Sequence, residues 1–137
     1  MASNIRRVDY FHITVKDQPG EAYKLLSLLA ELGVNQLAFT AVPVGSGHTE
    51  LTLFPEDPLK LINESEKARL ELDGPYPAFL AQGDDEPGAL VDIHVKLYEA
   101  KVDVYGSSGV TDGRGGFGYV LYIAPEDCDR AKAVLEG

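Results

Sequence analysis

A short motif that occurs twice at a fixed spacing constrains this chain more than any other feature. Asp17-Gln18-Pro19-Gly20 precedes a helical pattern, and Asp85-Glu86-Pro87-Gly88 repeats it 68 positions later (85 minus 17). Identical residues recur at the same offset along the chain, among them Phe11 and Phe79, Leu29 and Leu97, Gly45 and Gly113, and Leu53 and Leu121. Self-similarity at a constant spacing is the mark of a repeated structural unit. The sequence therefore predicts two copies of one unit, 1–73 and 74–137.

Hydrophobic periodicity predicts the same order of elements in both copies, strand-helix-strand-strand-helix. In the first copy the predicted elements are Val8–Val15, a helix from Glu21 that Gly33 ends, Gln36–Val44, His48–Phe54 and Leu59–Leu72. In the second copy they are Tyr76–Gln82, Ala89–Ala100, Val102–Val110, Gly118–Ala124 and Glu126–Leu135. Asp73-Gly74-Pro75 is expected to end the last helix of the first copy.

Neither copy has room for the fourth strand that would close a ferredoxin-like unit. Half of a 137-residue chain is also near the lower limit for burying an adequate core alone, so we expect the copies to share one sheet. If Tyr76–Gln82 lies antiparallel to Val8–Val15, it fills the vacant position. The predicted fold is α+β and ferredoxin-like, with a six-stranded antiparallel sheet of order 2-3-1-1′-3′-2′ and four helices on one face.

Composition restricts the possible partners. A net charge of −10 repels phosphate backbones and anionic lipid surfaces, so nucleic-acid and membrane binding are not expected. No run of about 18 apolar residues could span a bilayer, and Met1–Arg7 lacks the apolar stretch of a secretion signal. The single cysteine, Cys128, cannot form an internal disulfide, which suits a reducing compartment. We therefore expect a cytoplasmic protein.

Together, the strand, the Asp-x-Pro-Gly motif, the amphipathic helix, Gly33-Val34-Asn35 and the glycine-turned hairpin resemble the ACT domain. This small ligand-binding module is attached to many enzymes of amino-acid metabolism. The resemblance covers Val8 to Leu72 and again Tyr76 to the end, where Pro87-Gly88-Ala89-Leu90 resembles the Gly-Ala-Leu variant of the motif. It implies tandem ACT-like repeats with a ligand held where two modules meet, near the first strand-to-helix loop. The matching positions are Asp17, Gly20 and Asn35 in the first copy and Asp85, Gly88 and Asp103 in the second.

The chemistry of these residue types suits an amino acid or a similar small zwitterion. A carboxylate such as Asp17 can pair with an α-ammonium group, while N–H groups at the helix start beyond Gly20 can receive an α-carboxylate. Asn35 adds a donor and an acceptor, whereas Asp103 would repel a carboxylate, so sequence alone favours the first copy. The alternative is structural, since Asp17 and Asp85 would also serve as helix N-caps.

Other motifs predict neither catalysis nor a cofactor. The run 113–118 fits G-x-G-x-x-G, but it lies between two strands and is interpreted as a hairpin, with Arg114 on a loop that could close over a ligand. Ser107 and Ser108 lack the strand-turn-helix context of a nucleophile, and their small neighbours indicate close packing. His12, His48 and His94 show no metal-ligand spacing. Because His94 occupies the position of Leu26 in the other copy, we expect it to be hydrogen-bonded and partly buried.

The sequence thus favours a stand-alone regulatory or sensory protein, not an enzyme, that binds a small zwitterion. We expect a homodimer paired through the second-strand edges, Gln36–Val44 and Val102–Val110, and a partner enzyme of amino-acid metabolism. A ligand-free protein-interaction module that docks a partner enzyme is the alternative. A ferredoxin-like enzyme such as an acylphosphatase ranks last, since Lys16-Asp17-Gln18 offers no arginine in the first loop.

Overall fold

The computed structural model describes residues 4–136. In chain order its strands and helices are β1 Asn4–Lys16, α1 Glu21–Glu31, β2 Gln36–Gly45, β3 His48–Pro55, α2 Pro58–Ala68, β4 Asp73–Asp84, α3 Ala89–Glu99, β5 Val104–Thr111, β6 Gly116–Ile123 and α4 Cys128–Leu135. A single 3₁₀ turn at Pro125–Asp127 leads into α4. Each predicted element is present.

The predicted fold class is confirmed as α+β, with six strands and four helices over residues 4–136. The strand order is β2-β3-β1-β4-β6-β5, which is the predicted order. Each hairpin is antiparallel, and so are the pairings of β1 with β3 and of β4 with β6. The second strand of each copy, β2 or β5, is therefore at an end of this order.

The first compact unit is Asp9–Tyr76. It contains most of β1, the hairpin β2–β3, both helices α1 and α2, and the start of β4. Leu25 and Leu29 of α1 and Leu61 of α2 pack into one core with Phe11 and Leu53, which are paired across β1 and β3. Within this unit, both helices therefore cover the same face of the strands.

The second compact unit joins the start of the chain, up to Val8, with the chain from Pro77 onward. It repeats the arrangement with β4, β5, β6, α3 and α4. Its core consists of buried residues from the two helices and the strands: Phe79, Ala81, Ile93, Leu97, Val102, Tyr119, Leu121, Ile123, Cys128, Ala131 and Leu135. Ile5 at the start of β1 packs against this core.

The three predicted boundaries that differ most from the structure are the end of α2 and the starts of β4 and β1. Helix α2 ends at Ala68 and not at Leu72, because Arg69 adopts a left-handed conformation with φ 61° and stops the helix. The segment Asp73-Gly74-Pro75, which was expected to end that helix, opens β4 instead. Strand β1 also begins earlier than predicted, at Asn4. Propensity fixes the interior of an element better than its ends.

None of the helices within residues 4–136 is both long and apolar enough to cross a membrane.

Candidate ligand site at the start of the third helix

The repeated Asp-x-Pro-Gly motif forms the same backbone contact in both units. The Asp17 N–H donates to the Gly47 carbonyl oxygen at 2.7 Å, and the Asp85 N–H donates to the Gly115 carbonyl oxygen at 2.8 Å. Each bond ties the loop before the first helix of the unit to the turn of the following hairpin. The motif therefore holds the start of the helix against the turn of the hairpin.

Glycine, not aspartate, caps these two helices. Gly20 (φ 90°) and Gly88 (φ 85°) are the N-cap residues, and neither α1 nor α3 has a side-chain capping hydrogen bond. The alternative that Asp17 and Asp85 are N-caps is therefore wrong. At the start of α3, the Ala89 N–H donates to the Glu86 carbonyl oxygen, and the first bond within the helix runs from Asp92 to Gly88. The N–H groups between them, those of Leu90 and Val91, have no partner in the helix.

Asn35 and Asp103 lie at the other end of their units. β2 runs parallel to β1, because both pair antiparallel with β3, so the start of β2 is far from the end of β1. Asn35 there donates through Nδ2 to Glu56 Oε2 at 3.3 Å. The structure brings Asp17 together with Gly20, and Asp85 with Gly88, but neither pair with Asn35 or Asp103 of the same unit.

A cavity of about 490 Å³ opens at the predicted loop of the second unit. Its lining joins that loop, the first turn of α3 and the facing parts of β5 and β6: Asp85, Glu86, Gly88, Ala89, Leu90, Val91, Gly109, Val110, Thr111, Phe117, Gly118 and Tyr119. This volume falls within the usual range for small-molecule sites. A few polar groups converge on a largely apolar lining, which is the composition typical of such sites.

Tyr119 forms the floor of this cavity and is held from two sides. A Cβ atom at Gly109 would lie 2.9 Å from Tyr119 Cδ1, so the ring packs directly over that glycine. The Tyr119 hydroxyl lies 2.7 Å from His94 Nε2. The prediction of a hydrogen-bonded, partly buried His94 is thus confirmed, and so is close packing at the small residues of β5, since Gly106 lies similarly under Tyr122.

The matching positions of the first unit differ in chemistry. At the offset of 68 positions, Glu21 replaces Ala89, Ala41 replaces Gly109, Thr49 replaces Phe117, and Leu51 and Leu26 replace Tyr119 and His94. Glu21 places a carboxylate at the first residue of α1, whereas the acidic residue in the first turn of α3, Asp92, comes three positions after Ala89 and does not line the cavity. Sequence alone favours the first copy because of Asn35, whereas the geometry favours the second.

Sequence reasoning missed the aromatic part of the site. Phe117 and Tyr119 reach the cavity because β6 pairs with β4 as well as with its hairpin partner β5, and the pairing with β4 is not local in sequence. The available signal was the difference between the copies: Gly109, Tyr119 and His94 all depart together from their counterparts. Residues that differ together between the two copies are expected to contact one another.

The run 113–118 lies in the turn between β5 and β6 and at the start of β6, as predicted. The Asp112 carboxylate organises this turn, because its Oδ1 accepts hydrogen bonds from the N–H groups of Arg114 at 2.6 Å and Gly116 at 3.0 Å. These bonds stabilise the ionised form and lower the pKa of Asp112 from its ordinary value. An ordered turn therefore borders the cavity.

Two other chemistries find little support in the geometry. Burial raises the pKa of the Cys128 thiol, so this cysteine is not an activated nucleophile. Within residues 4–136, no group of three or more histidine, cysteine, aspartate or glutamate side chains is arranged to hold a metal ion.

Comparison with known proteins gives structural matches only. No protein-family model matches the sequence, and no curated protein matches it. Among solved structures, protein BT0572 from Bacteroides thetaiotaomicron matches with a TM-score of 0.80 and 15% identity, covering 96% of this chain and 88% of that one.

Two further matches are parts of aspartate kinases. The regulatory subunit of aspartate kinase from Thermus thermophilus matches with a TM-score of 0.67 and 14% identity over 99% of this chain and 95% of that one. A putative C-terminal regulatory domain of aspartate kinase from Porphyromonas gingivalis matches with a TM-score of 0.51 and 15% identity over 98% of both chains. At these identities the likeness shows the fold: this chain has the ACT-type, ferredoxin-like fold of aspartate kinase regulatory domains.

Proposed function

We propose that this protein is a regulatory or sensory protein that binds an amino acid or a similar small zwitterion beside the loop between β4 and α3. The observation that carries the proposal is the 490 Å³ cavity, in which a carboxylate and an open helix start converge on an apolar lining. The second copy of the repeated motif, Asp85-Glu86-Pro87-Gly88, forms this loop.

The two ends of a zwitterion have complementary groups at this loop. The Asp85 carboxylate accepts no hydrogen bond and joins no ion pair among residues 4–136, so it is available to an α-ammonium group. The N–H groups of Leu90 and Val91 lack helical partners, and the positive end of the α3 dipole favours an α-carboxylate there. A charged hydrogen bond of each kind contributes about 1.5–3 kcal/mol.

The regulatory part of the proposal is supported by fold likeness alone. Aspartate kinase regulatory domains share this fold over nearly the whole chain. By analogy, the protein would pass a ligand-dependent change to a partner enzyme of amino-acid metabolism.

Dimerisation through second-strand edges would complete the site. We favour β5 over β2 as the pairing edge, because Pro43 in β2 lacks the N–H that an added strand requires. In an antiparallel pair about a two-fold axis, the start of one β5 meets the end of the other. Asp103 of the second copy of the chain would then lie near Thr111, beside the cavity. This arrangement would unite predicted site residues that a single unit keeps apart.

A ligand held between two such copies would couple binding to assembly. Because it contacts groups that meet only in the dimer, it binds that state better and shifts the equilibrium toward it. The reverse also holds, since a dimer formed for another reason would bind the ligand more tightly.

Thermal-shift screening against the common L-amino acids, followed by calorimetric titration, tests the proposal. We expect at least one amino acid to raise the melting temperature, and Asp85→Asn to weaken its binding at least about tenfold, because one charged hydrogen bond is lost. Asp17→Asn is the matched control in the first unit and should leave the affinity unchanged. A melting temperature that no amino acid raises would contradict the proposal.

A ligand-free interaction module remains the second candidate, because α3 exposes apolar side chains to solvent. Val91, Val95 and Tyr98 are 60%, 46% and 82% exposed. Exposed apolar patches often mark protein-binding surfaces. A screen without any response, together with capture of a partner that Tyr98→Ser abolishes, would favour this candidate.

A further inference from the structure

We infer that the ligand of the cavity at the start of α3 carries an apolar side chain, aliphatic or aromatic, and that Leu90, Phe117 and Tyr119 select it. This inference rests on the proposed function and specifies its ligand class.

Polar groups are concentrated at one end of the cavity. In the pairing of β4 with β6, Asp84 lies opposite Gly116, Gly83 opposite Phe117 and Ala81 opposite Tyr119. Asp85 and the start of α3 are therefore level with the turn, and Phe117 and Tyr119 follow further along β6. Two strand residues span about 6.6 Å, which is close to the reach of an amino-acid side chain from its α-carbon. A zwitterion bound at the loop thus directs its side chain toward the two aromatic rings.

Beyond the loop the lining is mostly apolar, and the exposed Thr111 of β5, opposite Phe117, adds a hydroxyl group. Leu90 and Val91 line it from α3, Phe117 and Tyr119 line it from β6, and Gly109 in β5 presents no side chain. The carboxylates of the lining, Asp85 and Glu86, both belong to the loop. An ammonium or amide group carried past the loop would lose its hydration without gaining a charged partner, which is unfavourable. An apolar side chain gains from the same burial.

The Tyr119 hydroxyl does not provide a free polar contact at the floor. It already lies within hydrogen-bond distance of His94 Nε2, and the ring is fixed above Gly109. The ligand therefore meets the face or edge of the Tyr119 ring. Offset or edge-to-face contact with Tyr119 and Phe117 would favour an aromatic ligand, and simple burial would favour an aliphatic one.

The first copy indicates which residues are specific to this site. Three of them have smaller or differently shaped counterparts there, Ala22 for Leu90, Thr49 for Phe117 and Leu51 for Tyr119. The loop residues Asp85 and Gly88 have identical counterparts, Asp17 and Gly20. The copies thus share the loop that would hold the zwitterion and differ in the groups that would surround its side chain. That pattern is expected if the second copy alone selects a large apolar side chain.

Calorimetric titration of the full chain with free L-amino acids tests the inference. The panel contains alanine, valine, leucine, phenylalanine, threonine and lysine. We expect leucine or phenylalanine to bind at least about tenfold more tightly than alanine, because each buried methylene contributes roughly tenfold in a well-packed pocket. We expect the same margin over threonine and lysine, because their hydroxyl and ammonium groups would lose hydration there. The variants Leu90→Ala and Phe117→Thr, which introduce the residues of the first copy, should each reduce that preference by about tenfold.

The outcomes separate the two proposals. Threonine or lysine binding as tightly as leucine would overturn the inference on ligand class and leave the proposed function standing. An absence of binding by every member of the panel would overturn the inference on ligand class, and an absence of any response across all the common L-amino acids would overturn both proposals. Leu90 is already 40% exposed and alanine is a good helix former, so Leu90→Ala should fold even if Phe117→Thr does not. An unchanged preference in Leu90→Ala and Phe117→Thr would show that other residues select the ligand.

Discussion

At the scale of single residues, the proposed site depends on one glycine and on the ring that packs over it. Gly109 lies in β5 without a positive φ, so its role is to leave space and not to permit an unusual backbone. The space is filled by Tyr119, whose hydroxyl contacts His94. Gly109 and Tyr119 meet through the pairing of β5 with β6, and His94 reaches them through the packing of α3.

We expect Gly109→Ala to lower the free energy of unfolding by about 1–3 kcal/mol, because the new methyl group would overlap the Tyr119 ring. Gly118→Ala is a matched control in the neighbouring strand, since a Cβ atom there meets nothing within 4 Å. Urea denaturation of both variants measures the difference. Equal stability of the two variants would show that the Tyr119 ring is not fixed against β5.

At the scale of elements, both helices that follow the repeated motif end in a left-handed residue. In α1 this residue is Gly33 with φ 75°, and in α3 it is Lys101 with φ 58°. Glycine adopts this conformation freely, whereas a side chain makes it costly. In the second copy the helix therefore ends in the same left-handed conformation, but at a lysine and not at a glycine.

Lys101→Gly is expected to stabilise the protein by about 1 kcal/mol, because it removes the strain of a side chain at positive φ. The backbone carbonyl of Lys101, which accepts a hydrogen bond from Arg130 Nη2, is unchanged by the substitution. Gly33→Ala, which adds a side chain at the corresponding position of the first copy, should destabilise the protein by a similar amount. Thermal melts of the two variants check the signs, and a destabilised Lys101→Gly would contradict the assignment of strain.

The turn between β5 and β6 should depend on pH through Asp112. The folded pKa of this carboxyl is lowered by the N–H groups of Arg114 and Gly116, so its contribution is complete above the unfolded pKa and is lost as pH falls through the folded pKa. We expect the amide protons of Arg114 and Gly116 to exchange faster in acid than at neutral pH, after correction for intrinsic rates. In Asp112→Ala, exchange should be fast at both. A protection pattern that Asp112→Ala leaves intact would contradict this role.

At the scale of the whole molecule, the repeat alone predicted most of the fold. Two copies with the same element order and one vacant strand position leave few arrangements, and the observed strand order is the predicted one. The loop positions Asp85 and Gly88 were also predictable, since Pro and Gly mark a strand-to-helix turn directly. The aromatic lining was not, because it depends on side chains of three elements. The sequence grouped Asn35 and Asp103 with the loops, but they lie at the opposite end of the strands, because a helix separates each of them from the loop of its unit.

Assembly through β5 makes a further prediction for the whole molecule. Successive N–H groups along a strand point to opposite edges, so one of Ser107→Pro and Ser108→Pro removes a bond to β6 and the other removes an outward donor. The variant that keeps the wild-type melting temperature should sediment as a monomer where the wild type is a dimer. Thermal melts identify that variant, and analytical ultracentrifugation measures the oligomeric state of the variant and of the wild type. A wild type that is monomeric with and without ligand would contradict assembly through β5.

The most direct test of the central claim is an amide NMR titration of the full chain with the tightest-binding amino acid from the screen. The account predicts that the resonances of Leu90 and Val91 at the start of α3 shift with ligand concentration. It also predicts that those of Ala22 and Tyr23, their counterparts at the start of α1, stay in place. A zwitterion site at the start of α3 would be contradicted if the shifts were confined to Ala22 and Tyr23. It would also be contradicted if neither helix start showed any shift.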